Sequence, residues 1–294
     1  MRIVVTGSES FVGREFISRC LAHDDIRVSG FDLADKKSQD YEFNKGDIRS
    51  PSAAELIPEG ADAIVHLAAL SRDEDCKNRA YECFETNVLG TLNVMRCAAR
   101  KNIKQFIFAS SEWVYGAFED NEEKDEEAAI DIGKLASEYA LSKLVSEANL
   151  RQTFLRGFCA TTILRFGIIY GPRPTPGSAV ESLANDVKRK SEVVVGSLKS
   201  GRRFVHVTDI ARGVIQSVGI PGFNIINLVG DRIITLGEII GESEKILGKK
   251  VKISESTPNE ASVRNPSNKK AKELLRWEPK VGLMEGLKTL LGSI

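Results

Sequence analysis

Short apolar runs alternate with amphipathic stretches along most of the chain. The runs at residues 64–67, 106–109 and 162–165 are short and mostly apolar, a pattern typical of parallel strands that are buried on both faces. The stretches between them are long enough for helices that cross from one strand to the next, and such crossovers are right-handed. The pattern therefore predicts an α/β fold built on a doubly wound parallel sheet.

The first apolar run, residues 3–5, leads into a loop rich in glycine and serine and then into a helical pattern. In Thr6-Gly7-Ser8-Glu9-Ser10-Phe11-Val12-Gly13, Gly7 permits a tight turn and Gly13 permits close packing of the helix on the strand. A pyrophosphate would bind the exposed N–H groups at the start of the helix. This order of strand, turn and helix predicts a dinucleotide-binding loop.

An acidic residue lies near the end of the second strand-like run. Asp32 follows the loop by about 20 residues, where a carboxylate accepts hydrogen bonds from an adenosine ribose and repels a 2′-phosphate. We therefore expect NAD to be preferred over NADP. Lys36 and Lys37 follow closely in sequence and would oppose part of that repulsion.

A tyrosine and a lysine stand four residues apart in Tyr139-Ala140-Leu141-Ser142-Lys143, within a helix-like run that lacks Gly and Pro. On a helix the two side chains lie on one face, one turn apart. Because a nearby ammonium favours the phenolate, we expect Lys143 to lower the pKa of Tyr139 from its usual value of about 10. The tyrosine would then be usable in proton transfer. Taken alone, the pair is also compatible with a solvated helix face.

Several motifs, in order along nearly the whole chain, resemble the extended short-chain dehydrogenase/reductases that act on nucleotide sugars. The segments that carry this resemblance are residues 6–13, 46–49, 66–69, 86–91, 110–116, 164–173, 202–209 and 271–279. The resemblance implies a Rossmann fold, NAD as the cofactor and a nucleotide sugar as the substrate.

The resemblance also implies roles for individual positions. It implies that Ser111, Tyr139 and Lys143 are catalytic. The cofactor-binding positions that it implies are Gly7, Ser10, Phe11, Val12, Gly13, Asp32, Asp47, Ile48, Leu67, Ala68, Ala69, Asn87, Tyr139 and Lys143. The substrate-binding positions that it implies are Ser111, Glu112, Arg173 and Arg202.

Two positions depart from the family pattern. Ser10 replaces the second glycine of the loop, where a missing side chain normally lets the pyrophosphate approach closely, so we expect weaker or adjusted cofactor binding. Ile168 replaces an asparagine that contacts the substrate phosphates, and an isoleucine cannot donate a hydrogen bond. Arg202, with Arg173 as a second candidate, is then expected to hold the substrate phosphates.

A loop rich in Gly and Pro after Tyr170 marks a change of organisation. We expect residues 1–170 to form the NAD-binding domain, to which the chain returns near 205–230. We expect residues 171–204 and 231–294 to form a smaller C-terminal α/β lobe that binds the substrate. At 294 residues the chain is long enough to bury a core in both parts.

The chemistry that the resemblance implies begins with oxidation of a substrate hydroxyl to a ketone, with Ser111 and Tyr139 both reaching that hydroxyl. Hydride returned to the opposite face of the ketone gives an epimerase, which is the first choice. An NAD(P)H-dependent ketosugar reductase is the second. A 4,6-dehydratase needs an acid and a base beside the serine; Glu112 could serve as one of them, but Trp113 cannot act as a base. A non-catalytic NAD-binding protein of the same fold is a further alternative.

Bulk composition limits the partners and the compartment. Lysine plus arginine equals aspartate plus glutamate, at 41 each, so no overall field favours nucleic acid or an anionic membrane. The five cysteines form no Cys-x-x-Cys pair, and neither a secretory leader nor a membrane-spanning apolar run is evident. We therefore expect reduced thiols and a cytoplasmic location. The three histidines are far apart and lack carboxylate spacing, so we expect no metal site.

An apolar stripe on one predicted helix bears on oligomeric state. Phe84, Val88, Leu92 and Met95 recur at spacings of three or four residues. The resemblance implies a homodimer with a four-helix interface, built from the helices around residues 79–99 and 139–150 of each subunit. The alternative is that the stripe faces the subunit's own sheet.

Overall fold

In the computed structural model, residues 1–35 and 40–292 are described, so Lys36 and Lys37 lie outside the described residues. The strands are β1 (Arg2–Thr6), β2 (Arg27–Asp32), β3 (Glu42–Lys45), β4 (Ala63–His66), β5 (Gln105–Ser111), β6 (Ala160–Phe166), β7 (Ile169–Tyr170), β8 (Glu192–Val195), β9 (Gly201–Arg202), β10 (Val205–His206), β11 (Phe223–Leu228), β12 (Ile234–Thr235) and β13 (Lys252–Glu255). The α-helices are α1 (Phe11–Cys20), α2 (Asp73–Cys76), α3 (Ala80–Phe84), α4 (Thr91–Arg100), α5 (Glu138–Phe154), α6 (Ala179–Arg189), α7 (Val207–Gln216), α8 (Leu236–Leu247), α9 (Lys269–Leu275) and α10 (Leu283–Leu291). Short 3₁₀ helices cover Pro51–Leu56, Glu112–Tyr115 and Ile132–Lys134, and a π-helical turn covers Glu85–Gly90.

The predicted doubly wound sheet is confirmed. Within the described residues it has seven strands in the order β11-β6-β5-β4-β1-β2-β3, and the pairings from β3 across to β6 are parallel. From β1 the chain proceeds outward through β2 to β3, and from β4 it proceeds outward the other way. The carboxyl ends of β1 and β4 therefore flank the switch point, where open α/β sheets bind their ligands.

The interior of the sheet explains why its strands are apolar. Ile64, Phe106 and Ile163, from three neighbouring strands, belong to one buried cluster, and every residue of β4 and β5 is buried. Such strands are covered by helices on both faces, as expected for parallel pairing. Met95 of α4 lies in the same cluster, and Leu92 packs against it.

The apolar stripe on α3 and α4 therefore faces the subunit's own interior over much of its length. Val88 and Met95 are buried, at 7% and 4% exposure. Leu92 and Met95 pack against the subunit's own sheet, as in the alternative to the dimer interface. The same segment exposes two other apolar side chains, Tyr81 at 77% and Leu89 at 59%.

The described chain divides into two compact units. The first comprises Met1–Gly116, Ala128–Phe166 and Ala211–Ile226, and the second comprises Ala117–Glu127, Gly167–Ile210 and Asn227–Ile294. The second unit has its own core, in which Val180, Leu183, Ile239 and Leu287 from α6, α8 and α10 pack together.

The acidic segment Ala117–Glu127 belongs to the second unit, although it falls within the range 1–170 expected for the first domain. Glu126 accepts a hydrogen bond from the Asn227 N–H at 2.7 Å, and Glu123 pairs with Arg203 at 3.0 Å. These contacts join positions 101 and 80 residues apart in the sequence, so local sequence could not reveal them. Across the described part of the chain, no helix combines the length and apolarity needed to cross a membrane.

Candidate active site

The catalytic candidates on α5 are placed by the start of that helix. Ser137 caps it, and its hydroxyl accepts a hydrogen bond from the Ala140 N–H at 3.2 Å. Tyr139 and Lys143 then follow one turn apart, and both are buried, at 8% and 3% exposure. Their burial excludes the alternative of a solvated helix face.

Strand β5 brings the third candidate to the same place. Ser111 is the last residue of β5, and its hydroxyl is hydrogen-bonded with the phenol of Tyr139. The ammonium of Lys143 donates to the carbonyl oxygen of Ala109 at 2.8 Å. The Lys143 ammonium also lies 4.8 Å from the centre of the Phe108 ring. Three residues from two separate parts of the sequence thus converge at the carboxyl end of β5.

Burial shifts the pKa values of the tyrosine and the lysine in opposite directions. Burial raises the pKa of Tyr139 to about 12, with the hydrogen bond from Ser111 opposing the rise. Burial lowers the pKa of Lys143 to about 8, because a low dielectric disfavours the ammonium. The expected net lowering of the Tyr139 pKa is therefore wrong, because desolvation of the phenolate outweighs the groups that favour it.

The two residues after Ser111 form a 3₁₀ turn. Glu112 is fully buried. Trp113 is half-buried and packs with Leu70 against a small cluster that contains Tyr139. The indole therefore occupies the position beside the serine at which a dehydratase would need a base.

The loop between β1 and α1 has the close packing that its glycines predict. Gly7 has a φ of +70°, and a Cβ there would lie 2.6 Å from the Ala68 nitrogen. A Cβ on Gly13 would collide with the Gly7 carbonyl oxygen. Both positions therefore exclude a side chain. The hydroxyl of Ser10 caps α1 by accepting from the Gly13 N–H at 3.0 Å, which gives this departure from the family pattern a structural role. Phe11 and Val12 begin the helix and are half-buried.

Asp32 is held at the end of β2 by backbone donors. Its Oδ2 accepts from the Glu9 N–H and its Oδ1 accepts from the Ala34 N–H, each at 2.9 Å. The carboxylate of Glu9 accepts a hydrogen bond from the Tyr41 hydroxyl at 2.6 Å. The loop and the end of β2 are thereby tied together, with the Asp32 carboxylate between them.

The other cofactor candidates lie around the same edge of the sheet. Asp47 pairs with Arg49 at 2.7 Å, and this hydrogen bond holds the pKa of Asp47 below its usual value. Ile48 is buried in the core. Leu67 is buried, and Ala68 and Ala69 beyond it are half-buried; all three follow directly after β4.

Asn87 lies in the π-helical turn and is almost fully buried, at 1% exposure. Its Oδ1 accepts from the Leu70 N–H at 2.8 Å, and its Nδ2 donates to the Leu70 carbonyl at 3.0 Å and to the Ser142 hydroxyl at 3.0 Å. The asparagine therefore joins the loop after β4 to α5. Single π-helical turns are often found at functional sites.

Sequence reasoning missed a buried ion pair beside these residues. Glu147 of α5 and Arg165 of β6 pair at 2.7 Å, with side-chain exposures of 5% and 3%. The signal was present in the sequence: Glu147 continues the four-residue spacing of Tyr139 and Lys143, and Arg165 interrupts an apolar strand.

The substrate candidates of the second unit are engaged within that unit. Arg173 pairs with Glu181 at 2.8 Å. Arg202 donates to the carbonyl of Ser262 at 2.5 Å and to its hydroxyl at 3.0 Å. Ile168 packs against the core of the second unit.

Comparisons with known proteins agree with this architecture. A family model described as the NAD dependent epimerase/dehydratase family matches residues 3–221. The chain is 29% identical over 261 residues to the UDP-glucuronate 4-epimerase of Thermodesulfobacterium geofontis, covering 86% of this chain and 79% of that one. It is 29% identical over 300 residues to UDP-glucuronic acid decarboxylase 4 of Arabidopsis thaliana, covering 98% of this chain and 67% of that one.

Among solved structures, the fold is similar to that of a UDP-glucose 4-epimerase from Thermotoga maritima with UDP-glucose. The TM-score is 0.86 at 25% identity, and the match covers 99% of this chain and 97% of the other. The family inferred from the sequence motifs is thereby confirmed.

Proposed function

This chain belongs to the NAD-dependent epimerase/dehydratase family, and we propose that within it the protein is a nucleotide-sugar epimerase that acts through a transient keto-sugar. The observation that carries the proposal is the buried convergence of Ser111, Tyr139 and Lys143 at the carboxyl end of β5. A purely structural helix gains nothing from a lysine and a tyrosine buried on the same face, because desolvation of the ammonium is unfavourable.

The residues at the switch point fit NAD. Gly7 and Gly13 leave no space for side chains, so backbone N–H groups at the start of α1 would meet the pyrophosphate. Asp32 would accept the ribose hydroxyls, and Asp47, Ile48 and residues 67–69 would surround the adenine and nicotinamide halves. When bound, NAD supplies the capacity to accept a hydride from the sugar and to return it.

The protein's own side chains move the proton. In the resting site the raised pKa keeps Tyr139 protonated, which is the form that donates to a ketone oxygen. The reverse transfer needs the phenolate, which is favoured by the Lys143 ammonium 5.9 Å from the ring centre. The hydroxyl of Ser111, bonded to the phenol, orients the substrate oxygen between the two.

Trp113 separates the epimerase proposal from a dehydratase. Elimination of water from the sugar requires a base beside the ketone, and an indole cannot accept a proton because its N–H is only a donor. A reductase would use the same three residues but would consume reduced cofactor with each turnover. An epimerase regenerates its cofactor, because the hydride that leaves the sugar returns to it.

The residues proposed to bind the substrate phosphates belong to the second unit. We propose that Arg202 binds the nucleotide diphosphate, because a guanidinium presents a fork that matches phosphate oxygens. Arg173 is a weaker candidate, because its Nε–H is already shared between the two carboxylate oxygens of Glu181. UDP-glucuronate and UDP-glucose are the first substrates to test, because they appear in the names of the similar proteins.

A panel of nucleotide sugars tests this function. The protein is incubated with each sugar, with and without added NADH or NADPH, and the products are separated by chromatography. We expect an epimer of one substrate without net consumption of cofactor. Stoichiometric loss of reduced cofactor would instead indicate a reductase, loss of carbon dioxide a decarboxylase, and binding without turnover a non-catalytic protein.

We also propose a cytoplasmic homodimer. Within the described residues the five cysteines are free thiols, as expected in a reducing compartment. Tyr81 and Leu89, exposed on the segment expected to form the four-helix interface, supply an apolar surface for a partner. Light scattering at micromolar concentration should show a dimer, and Leu89→Lys should shift it toward the monomer, whereas Leu21→Lys, at another exposed apolar position, should not. A monomeric wild-type protein would contradict this proposal.

A further inference from the structure

The spacing of Tyr139 and Lys143 continues by one more step along α5. Tyr139, Lys143 and Glu147 lie four residues apart on one face of the helix, and all three are buried. Each contacts the end of β5, at three consecutive residues: Tyr139 bonds Ser111, Lys143 bonds the Ala109 carbonyl, and Glu147 bonds Ser110. Three polar contacts therefore hold α5 against β5.

The third contact is a charge cluster rather than a single hydrogen bond. The Ser110 hydroxyl donates to Glu147 Oε1 at 2.5 Å. Arg165 donates from Nε to the same oxygen at 3.1 Å and from Nη2 to Oε2 at 2.7 Å. Ser110 and Arg165 are directly paired across β5 and β6. One carboxylate therefore fixes the position of α5 against two neighbouring strands.

Arg165 also supports the segment on the other side of the catalytic serine. Its guanidinium lies over the Tyr115 ring, 4.8 Å from the ring centre. Tyr115 ends the 3₁₀ helix that begins directly after Ser111. The ion pair thus contacts the residue before the catalytic serine through Glu147 and the turn after it through Arg165.

We propose that Glu147 and Arg165 are positioning residues for this reaction, which set the placement of Tyr139 and Lys143 against Ser111. The proposal rests on the proposed function. Stability alone does not account for the pair, because buried ion pairs are often matched or exceeded in stability by apolar residues of similar volume. A placement error of about 1 Å between reacting groups, by contrast, can reduce a rate on the order of 10²-fold.

The charge of Glu147 is not a free counter-charge for Lys143. Burial lowers the pKa of the Lys143 ammonium, and the Glu147 carboxylate is among the groups that oppose this shift. The same carboxylate is paired with the Arg165 guanidinium at 2.7 Å, so removal of both charges together leaves the net charge beside the lysine unchanged. A variant that lacks both should therefore change the protonation of Lys143 little and report the placement of α5.

The test compares a single variant with a double variant. Glu147→Gln leaves Arg165 buried without its ion-pair partner and should be unstable. Glu147→Leu with Arg165→Met replaces both charges by apolar side chains and should melt near the wild-type temperature. In the double variant we expect kcat to fall on the order of 10²-fold, and the alkaline limb of the kcat profile to start, as in the wild-type protein, near the pKa of about 8 for Lys143.

Glu244→Gln is the matched control, because Glu244 is also a buried glutamate with a lysine partner but lies in the second unit. It should leave kcat and the pH profile unchanged. A folded double variant with wild-type kcat would overturn the proposal and reduce the pair to a structural role.

A binding measurement separates failure of this inference from failure of the proposed function. NAD affinity is measured at neutral pH in the wild-type protein and in the double variant. Because Lys143 is assigned to the ribose of NAD, a displaced α5 should weaken NAD binding in the double variant. Equal affinities in the two proteins would contradict the inference, whereas a wild-type protein that turns over no nucleotide sugar would contradict only the proposed function.

Discussion

The ammonium of Lys143 donates a hydrogen bond to the carbonyl oxygen of Ala109, 2.8 Å away. Ala109 lies two residues before Ser111 on β5, so this bond fixes the lysine beside the serine and the phenol of Tyr139. Because the backbone carbonyl compensates only part of the lost hydration, the pKa of Lys143 falls to about 8. The lysine is therefore charged at neutral pH but close to losing its proton.

Tyr139→Phe should abolish turnover and leave NAD binding intact, because it removes the titrating hydroxyl and keeps the ring. Lys143→Ala should impair both, since the ammonium is assigned to the phenolate and to the ribose. Turnover is measured with the sugar found by the panel, and NAD binding by calorimetry. More than a few per cent of wild-type turnover in Tyr139→Phe would show that the catalytic assignment is wrong.

Ser111→Ala should lower kcat on the order of 10²-fold or more, because the phenol loses its hydrogen-bonding partner and the substrate oxygen loses a positioned donor. Ser111→Thr keeps the hydroxyl and should retain more activity than the alanine variant. Equal activities for the two variants would indicate that the hydroxyl has no part in the reaction.

NAD should bind more tightly than NADP, because the Asp32 carboxylate would lie beside a 2′-phosphate. Asp32→Asn keeps an oxygen acceptor for one of the two backbone donors and removes the charge, so it should narrow the difference in affinity between NAD and NADP. Asp35→Asn is the matched control, since Asp35 is exposed and pairs with Lys45. Equal affinities in the wild-type protein would mean that Arg14, Lys36 or Lys37 compensates for the repulsion.

Arg202→Ala should raise KM for a nucleotide sugar far more than it lowers kcat, because a remote anchor contributes equally to binding of the ground and transition states. Arg232→Ala, which removes an exposed arginine paired with Glu238, should change neither constant. Free UDP should inhibit competitively. If no nucleoside diphosphate inhibits the wild-type enzyme at millimolar concentration, the substrate is a smaller, unactivated sugar or another hydroxyl compound.

His66 should make the free energy of unfolding depend on pH below about 6.5. It is buried between Thr6 and Thr91, and burial lowers its pKa from 6.5 to about 3. Between these values the unfolded chain binds a proton that the folded one does not, so stability is complete above pH 6.5 and falls as the pH drops toward 3. One proton corresponds to about 1.4 kcal/mol per pH unit. Urea unfolding at a series of pH values should show a shallower dependence in His66→Gln, and an identical dependence would contradict this assignment.

The fold and the convergence at β5 were predictable from the sequence because both depend on local patterns. Continuous apolar runs separated by helix-length stretches define a doubly wound sheet, and a four-residue spacing places Tyr139 and Lys143 on one face. The motif around Ser111 identified the strand end at which they meet.

Other features depend on distant contacts that no local pattern records. The pKa of Tyr139 is set by burial, which depends on how α2, α3 and the 3₁₀ turn cover the phenol. The pairing of Arg173 with Glu181 depends on the loop at residues 171–177 folding back onto α6. The apolar stripe could be recognised in the sequence, but the surface that covers it could not. Periodicity identifies an apolar helix face without identifying what packs against it.

The most direct test of the proposed epimerase activity follows a deuterium label through the reaction. A nucleotide sugar that carries deuterium at the carbon to be inverted is converted by the enzyme, and the product is analysed by mass spectrometry and NMR. If the hydride that leaves the sugar returns to the same carbon, the epimer retains the deuterium and none appears in solvent or in free reduced cofactor. Deuterium lost to water would contradict hydride transfer at that carbon, and deuterium recovered in free reduced cofactor would show a dehydrogenase instead of an epimerase.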